Sequence, residues 1–109
     1  MSALATLQAA RELLAVPERW TQGCNARNAS GAPAMGGDQP VSFCLDGALQ
    51  EVARLADAES AGRLLNEVLE TRHGYAFVDW NDRGERTHAE VLALLDKAIE
   101  LARSREGQP

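Results

Sequence analysis

The chain predicts a mainly α fold, a small four-helix domain with a long irregular loop or short β-hairpin near residues 20–40. Three observations carry this expectation. Apolar residues recur at helical spacing in four separate stretches. Helix starts are marked, by Ser2 before the first stretch and by a Thr-x-x-Glu capping box, Thr87 with Glu90, before the last. Only five residues are aromatic, so the core must be built from Leu, Val and Ala. That composition suits packed helices better than a sheet, where β-branched and aromatic residues dominate.

The elements follow in order. Leu4, Leu7, Ala10 and Leu14 line one face of a first helix, which Pro17 ends or follows with a new turn. Residues 20–42 are irregular, with a turn signal at Asn28-Ala-Ser-Gly31 and a loop over residues 32–40. A second helix is read over residues 41–56, with Ser42 as its N-cap and Leu45, Ala48, Leu49, Val52 and Leu55 inward. Gly47 costs about 1 kcal/mol relative to Ala inside a helix, which points to a close helix–helix approach there. Ser60 is read as the cap of a third helix reaching Arg72, with Gly74 as its left-handed terminator. A short helical turn or extended link spans Tyr75 to Trp80. The last helix carries Val91, Leu92, Leu94, Leu95, Ala98, Ile99, Leu101 and Ala102. A stripe that wide makes it the expected centre of the core. The whole is read as one domain over residues 1–104, with a flexible tail over 105–109.

At this length one domain buries roughly 65% of its extended-chain surface, enough for a core without staples. The net charge is −5, and residues 44–73 carry three basic against six acidic side chains. No basic stripe appears, so direct nucleic-acid binding is disfavoured. No apolar run is long enough to span a membrane, and the N-terminal residues lack the basic leader of a signal peptide. The expected location is the cytoplasm. Two cysteines, Cys24 and Cys44, are too few for a disulfide scaffold.

The sharpest catalytic candidate is Cys44, placed in the first turn of a helix, where backbone N–H groups favour a thiolate. His73 or His88 could act as its base, Gln22 as an oxyanion donor, and Asn81 or Asp82 as the group orienting the imidazole. The order echoes papain-like enzymes without their local sequence. The plain alternative is a buried small apolar residue. Cys24, Cys44, His73 and His88 lack the short spacing of a zinc site. Asp79, Asp82, Glu85 and Glu90 crowd one region, but Arg83 and Arg86 are interleaved, and a cap with local ion pairs accounts for them. No metal or cofactor is expected. Trp20, Arg27 and Trp80 are of the kinds that anchor protein interfaces; the plain reading of the two indoles is that they plug the ends of the helical core. The acidic group Asp46, Glu51, Asp57 and Glu59 would complement a basic partner.

Three blocks carry a resemblance: Trp-Thr-Gln-Gly from Trp20, Phe-Cys-Leu-Asp-Gly-Ala-Leu from Phe43, and Trp-Asn-Asp from Trp80 followed by Arg86-Thr87 and Glu90-Val-Leu-x-Leu-Leu95. With them the sequence resembles a small family of bacterial and phage proteins, a domain of unknown function, over nearly the whole chain. Each block alone is weak; together they are fairly specific. The resemblance implies a phage or mobile-element setting and an accessory role, and it carries over no catalytic residue. The expected function is that of a non-enzymatic interaction protein binding a protein partner stoichiometrically, in a host defence or regulatory complex. The alternative is a small cysteine hydrolase or transferase using Cys44 and His73. A third outcome is a homodimer formed through leftover apolar surface.

Overall fold

The computed structural model describes residues 2–106 and is mainly helical, with one small two-stranded hairpin. Helix α1 (Ala3–Leu14) begins where Ser2 Oγ accepts the Ala5 N–H at 3.0 Å. It buries Thr6, Leu7, Ala10 and Leu14. Pro17 then opens a single 3₁₀ turn through Arg19, and the chain enters the loop at Trp20.

That loop is built rather than slack. Strand β1 (Ala26–Arg27) pairs antiparallel with β2 (Ser42–Phe43), Ala26 opposite Phe43 and Arg27 opposite Ser42. Between them, Asn28 Oδ1 accepts the N–H groups of Ser30 and Ala32. Asp38 Oδ2 accepts the Met35 N–H and an Asn28 amide hydrogen. Short polar side chains thus satisfy the backbone where the strands do not, as Asx turns do. These donors hold the Asp38 carboxyl below the usual range, the Met35 N–H first.

Helix α2 (Leu45–Val52) is capped by Cys44, not Ser42. Ser42 is committed to the β2 ladder, while Cys44 has extended backbone and its sulfur accepts the Gly47 N–H at 3.3 Å. The helix stops at Ala53 and α3 (Leu55–Val68) starts directly after Arg54. The break therefore falls about six residues before Ser60, whose hydroxyl bonds back to Ala56 O within α3. An interior serine bonded in this way is not available as a cap. Leu55, assigned to the inward stripe, is 67% exposed.

The end of α3 also differs from the sequence reading. The left-handed residue is Glu70 (φ 58°), not Gly74. The cause is Asn66, buried within α3. Its Nδ2 donates to the carbonyls of His73 and Gly74, its Oδ1 accepts the Phe77 N–H, and its own carbonyl takes the Thr71 N–H. The chain is pulled back into α4 (Ala76–Asn81) before α3 can continue to Arg72. Gly62 faces this return: a Cβ there would sit 3.0 Å from the Phe77 ring.

Helix α5 (His88–Glu106) opens on the expected capping box, Thr87 N–H to Glu90 Oε1 at 2.9 Å and Glu90 N–H to Thr87 Oγ1 at 3.2 Å. It runs past residue 104 as far as Glu106, with Arg105 in a two-pronged pair with Glu67 of α3. Residues 107–109 of the expected tail lie outside the described residues. The centre of the core is α1 rather than α5. Helix α1 packs against α2, α3 and α5, whereas α5 packs mainly on α1 and α3. The Ala-rich sequence of α1 lets three helices approach it, while Leu92 and Leu101 of α5 remain only partly covered. Among the described residues no helix is long and apolar enough to cross a membrane.

Candidate functional site

The three sequence blocks converge on one side chain. Asn81, the last residue of α4, is fully buried. Its Oδ1 accepts the Trp20 indole N–H at 2.8 Å and the Leu45 backbone N–H at 3.2 Å. Its Nδ2 donates to Thr21 O and to Asp82 Oδ1. Two N–H donors on one side and two oxygens on the other fix the amide orientation without ambiguity. Around this centre, Gln22 Nε2 donates to the carbonyls of Asn81 and Arg83, and the Gly23 N–H reaches Asp82 Oδ1. The loop after α1, the start of α2 and the end of α4 are thereby tied at one point.

This lock determines what the candidate residues can do. Gln22 and Asn81 do come together, but the Gln22 amide nitrogen is spent on two backbone carbonyls, and the Asn81 amide on backbone, indole and Asp82 partners. Cys44 is 1% exposed, and among the described residues its sulfur is bonded to Gly47 N–H and Asn25 Oδ1, not to an imidazole. Burial pushes its thiol up to about 11, against the smaller pull of the Gly47 and Asp46 N–H groups. The expected helix-terminus activation is present and is outweighed by desolvation. His73 is exposed, its carbonyl held by Asn66. His88 bonds the Leu14 carbonyl at 2.6 Å, so its Nε2 carries the proton, and its ring lies 6.2 Å from that of Trp20.

The expected interface anchors are also engaged internally. Arg27 donates to Thr21 Oγ1, Gln22 O and Gly31 O, bracing the loop. Trp80 is covered by the Arg86 guanidinium, 3.8 Å from the ring centroid, and Arg86 Nε bonds the Trp80 carbonyl. Arg86 also pairs with Glu90 at 3.2 Å. Gly47 is explained here as well, though not by helix contact. A methyl group at that position would overlap the Asn25 carbonyl, so the close approach is that of loop backbone.

The four acidic residues are distributed over α2 and α3. Glu51 is exposed on α2, and Asp57 lines a shallow hollow with Val52, Ala53 and Arg54. Asp46 and Glu59 line an open cavity of about 230 Å³ between α2, α3 and the entry to α4. Its walls include Leu55, Tyr75 and Phe77. Leu55 and Tyr75 are 67% and 71% exposed. Asp46 is half-buried and accepts a hydrogen bond from Gln50 Nε2 at 2.8 Å. Burial raises its carboxyl, with the Gln50 bond opposing. Sequence periodicity missed this groove because Leu55 is in phase with Leu45, Ala48, Leu49 and Val52 and so reads as part of the second helix's inward stripe, whereas it opens α3 after the break at Ala53. Among the described residues no group of three or more His, Cys, Asp or Glu is placed to hold a metal ion.

No curated protein and no solved structure matches this chain. A family model described as a family of unknown function, DUF6197, matches residues 1–101. Its span takes in all three blocks that meet at Asn81 and the whole of the groove beside them, and on that match the chain belongs to the DUF6197 family.

Proposed function

We propose that this chain is a non-enzymatic interaction protein that binds a protein partner stoichiometrically through the groove between α2, α3 and α4. One observation carries the reading: the two large apolar side chains left exposed on α3 and before α4, Leu55 and Tyr75, line the same concave surface. Apolar residues exposed singly need no explanation, whereas apolar residues exposed together on one surface are what an interaction site offers. The cavity is smaller than the roughly 300–1,000 Å³ of sites that enclose a drug-sized ligand. It suits one or two side chains of a partner. A phage or mobile-element setting and a partner within a host defence or regulatory complex belong to the same reading and rest on the resemblance of the three sequence blocks; a cytoplasmic location belongs to it only as the expectation drawn from the sequence. The cysteine-hydrolase alternative lacks support, because the Cys44 thiol is buried and held by its own helix cap.

The test is site-specific crosslinking. A photoreactive phenylalanine analogue replacing Tyr75 should capture a discrete partner at one-to-one stoichiometry in a native lysate. Adding Leu55→Ser should abolish capture while leaving the circular dichroism spectrum unchanged. Capture that is diffuse, or that survives Leu55→Ser undiminished, overturns the reading.

A further inference from the structure

Resting on the reading of the groove as a protein-binding site, we propose that its occupant is a cationic side chain, a lysine or arginine presented by the partner. Its charge would lie at Asp46 and its hydrocarbon stem along Leu55 and Tyr75. The charges around the groove are unequal in state. Glu59 has a cation of its own chain nearby, Arg63 at 3.9 Å one helical turn on. Asp46 has none: among the described residues its hydrogen bond is from the neutral Gln50 amide, and no cation lies within ion-pair distance. Two carboxylates thus face one guanidinium at this site.

The half-burial of Asp46 sharpens the point. A carboxylate drawn partly out of water without a counter-charge is disfavoured, and the raised position of its titration reflects that. An incoming ammonium or guanidinium would relieve the deficit. The apolar walls fit the same ligand, since Lys and Arg lay their methylene stems on apolar surface with the charged head beyond. The exposed face of Tyr75 offers the cation a second attraction of quadrupolar origin. An anionic ligand would meet Asp46 and Glu59, and a purely apolar one would bury Asp46 unpaired, which is costly.

The experiment is an amide chemical-shift titration of the full chain with blocked single residues: acetyl-lysine N-methylamide, its arginine counterpart, the uncharged norleucine analogue, and blocked glutamate. Lysine and arginine should produce saturable shifts at residues 46, 55, 59 and 75. Norleucine should bind roughly tenfold more weakly, the gap expected of one exposed ion pair with a cation–π contact. Asp46→Asn should lower lysine binding to the norleucine level without lowering the thermal midpoint. Equal titration by lysine and norleucine, shifts spread away from the groove, or no saturable shift at all would overturn the proposal. So would concentration-dependent dimerisation in sedimentation that Leu55→Ser abolishes, since the occupant would then be a second copy. If Asp46→Asn retains crosslinked partner through position 75, the cation proposal fails and the interaction reading stands. If the unaltered groove captures nothing, the interaction reading itself fails.

Discussion

Replacing Asn81 by Ala should be the most damaging polar substitution in the chain, because one amide satisfies four groups at once. Its Oδ1 is an acceptor for the Leu45 N–H, one of the orphan donors in the first turn of α2, and for the Trp20 indole. Truncation leaves the first of these buried and unpaired, the second part-buried and unpaired, and removes a donor from Thr21 O. Each buried orphan costs about 1–3 kcal/mol. The Leu45 N–H should lie at the upper end and the indole at the lower. The sum, with a small cavity, is about 3–5 kcal/mol. That is a large share of the roughly 5–15 kcal/mol by which domains of this size are stable. Urea melts followed by circular dichroism and tryptophan fluorescence measure it, and the thermal midpoint should fall by about 10–30 °C. A loss below about 1 kcal/mol with an unchanged m-value would refute the lock as described. Asn81→Asp adds a sign test. It keeps the acceptor oxygen but sets a carboxylate against Asp82, whose Oδ1 lies 2.9 Å from Nδ2 in the native protein. Like charges raise the folded-state titration of the pair, so its defect should be smaller near pH 4 and grow as pH rises towards 7.

Three further outcomes follow from the same geometry. Gly47→Ala should destabilise by about 3 kcal/mol or more in chemical denaturation, although Ala is the better helix former by about 1 kcal/mol, because the Asn25 backbone occupies the space. Gly84→Ala, with nothing within 4 Å of the added carbon, should stay within about 1 kcal/mol of wild type and serves as its control. The Cys44 thiol, raised from 9.0 to about 11 by burial, contributes stability that is present below pH 9 and lost as pH climbs towards 11. Wild type should therefore lose about 2–3 kcal/mol more than Cys44→Ser across that window, and iodoacetamide at pH 7.5 should modify Cys44 only on unfolding. Arg86→Leu should cost about 1–3 kcal/mol in urea melts and change Trp80 emission, because it removes the guanidinium from the ring face together with its bond to the Trp80 carbonyl.

How far the sequence could be read depended on how local each cause was. The caps at Ser2 and at Thr87 with Glu90 were legible because donor, acceptor and helix start lie within four residues. The Asn28 turn was legible for the same reason. The α2–α3 boundary was not. Leu45 through Ala61 keeps helical spacing across Ala53 and Arg54, and the break at Ala53 has no Gly or Pro to announce it. The end of α3 was missed because an ordinary-looking Asn66 takes hold of residues 73, 74 and 77. The candidate site divided in the same way. Asp46 and Glu59 could be named as acidic binding residues, but nothing near them in sequence points to Leu55 and Tyr75 as the apolar walls between them.

The sequence alone thus determined what short-range chemistry determines: a mainly helical class built on Leu and Ala, the starts of the first and last helices, and a connection near residues 20–40 that it left open between an irregular loop and a short hairpin. Period and capping act over one or two turns, and so can be read from one chain. Tertiary structure decided the rest. It made Cys44 a buried cap, turned the Trp20, Phe43 and Trp80 blocks into parts of a single lock around Asn81, and, among the described residues, left Asp46 without an ion-pair partner beside the apolar walls of a groove. Burial, hydrogen-bond partnership and the desolvation of a charge are properties of pairs of segments far apart in sequence, 36 residues for Asn81 with Leu45 and 61 for Asn81 with Trp20, and they exist only once the chain has folded.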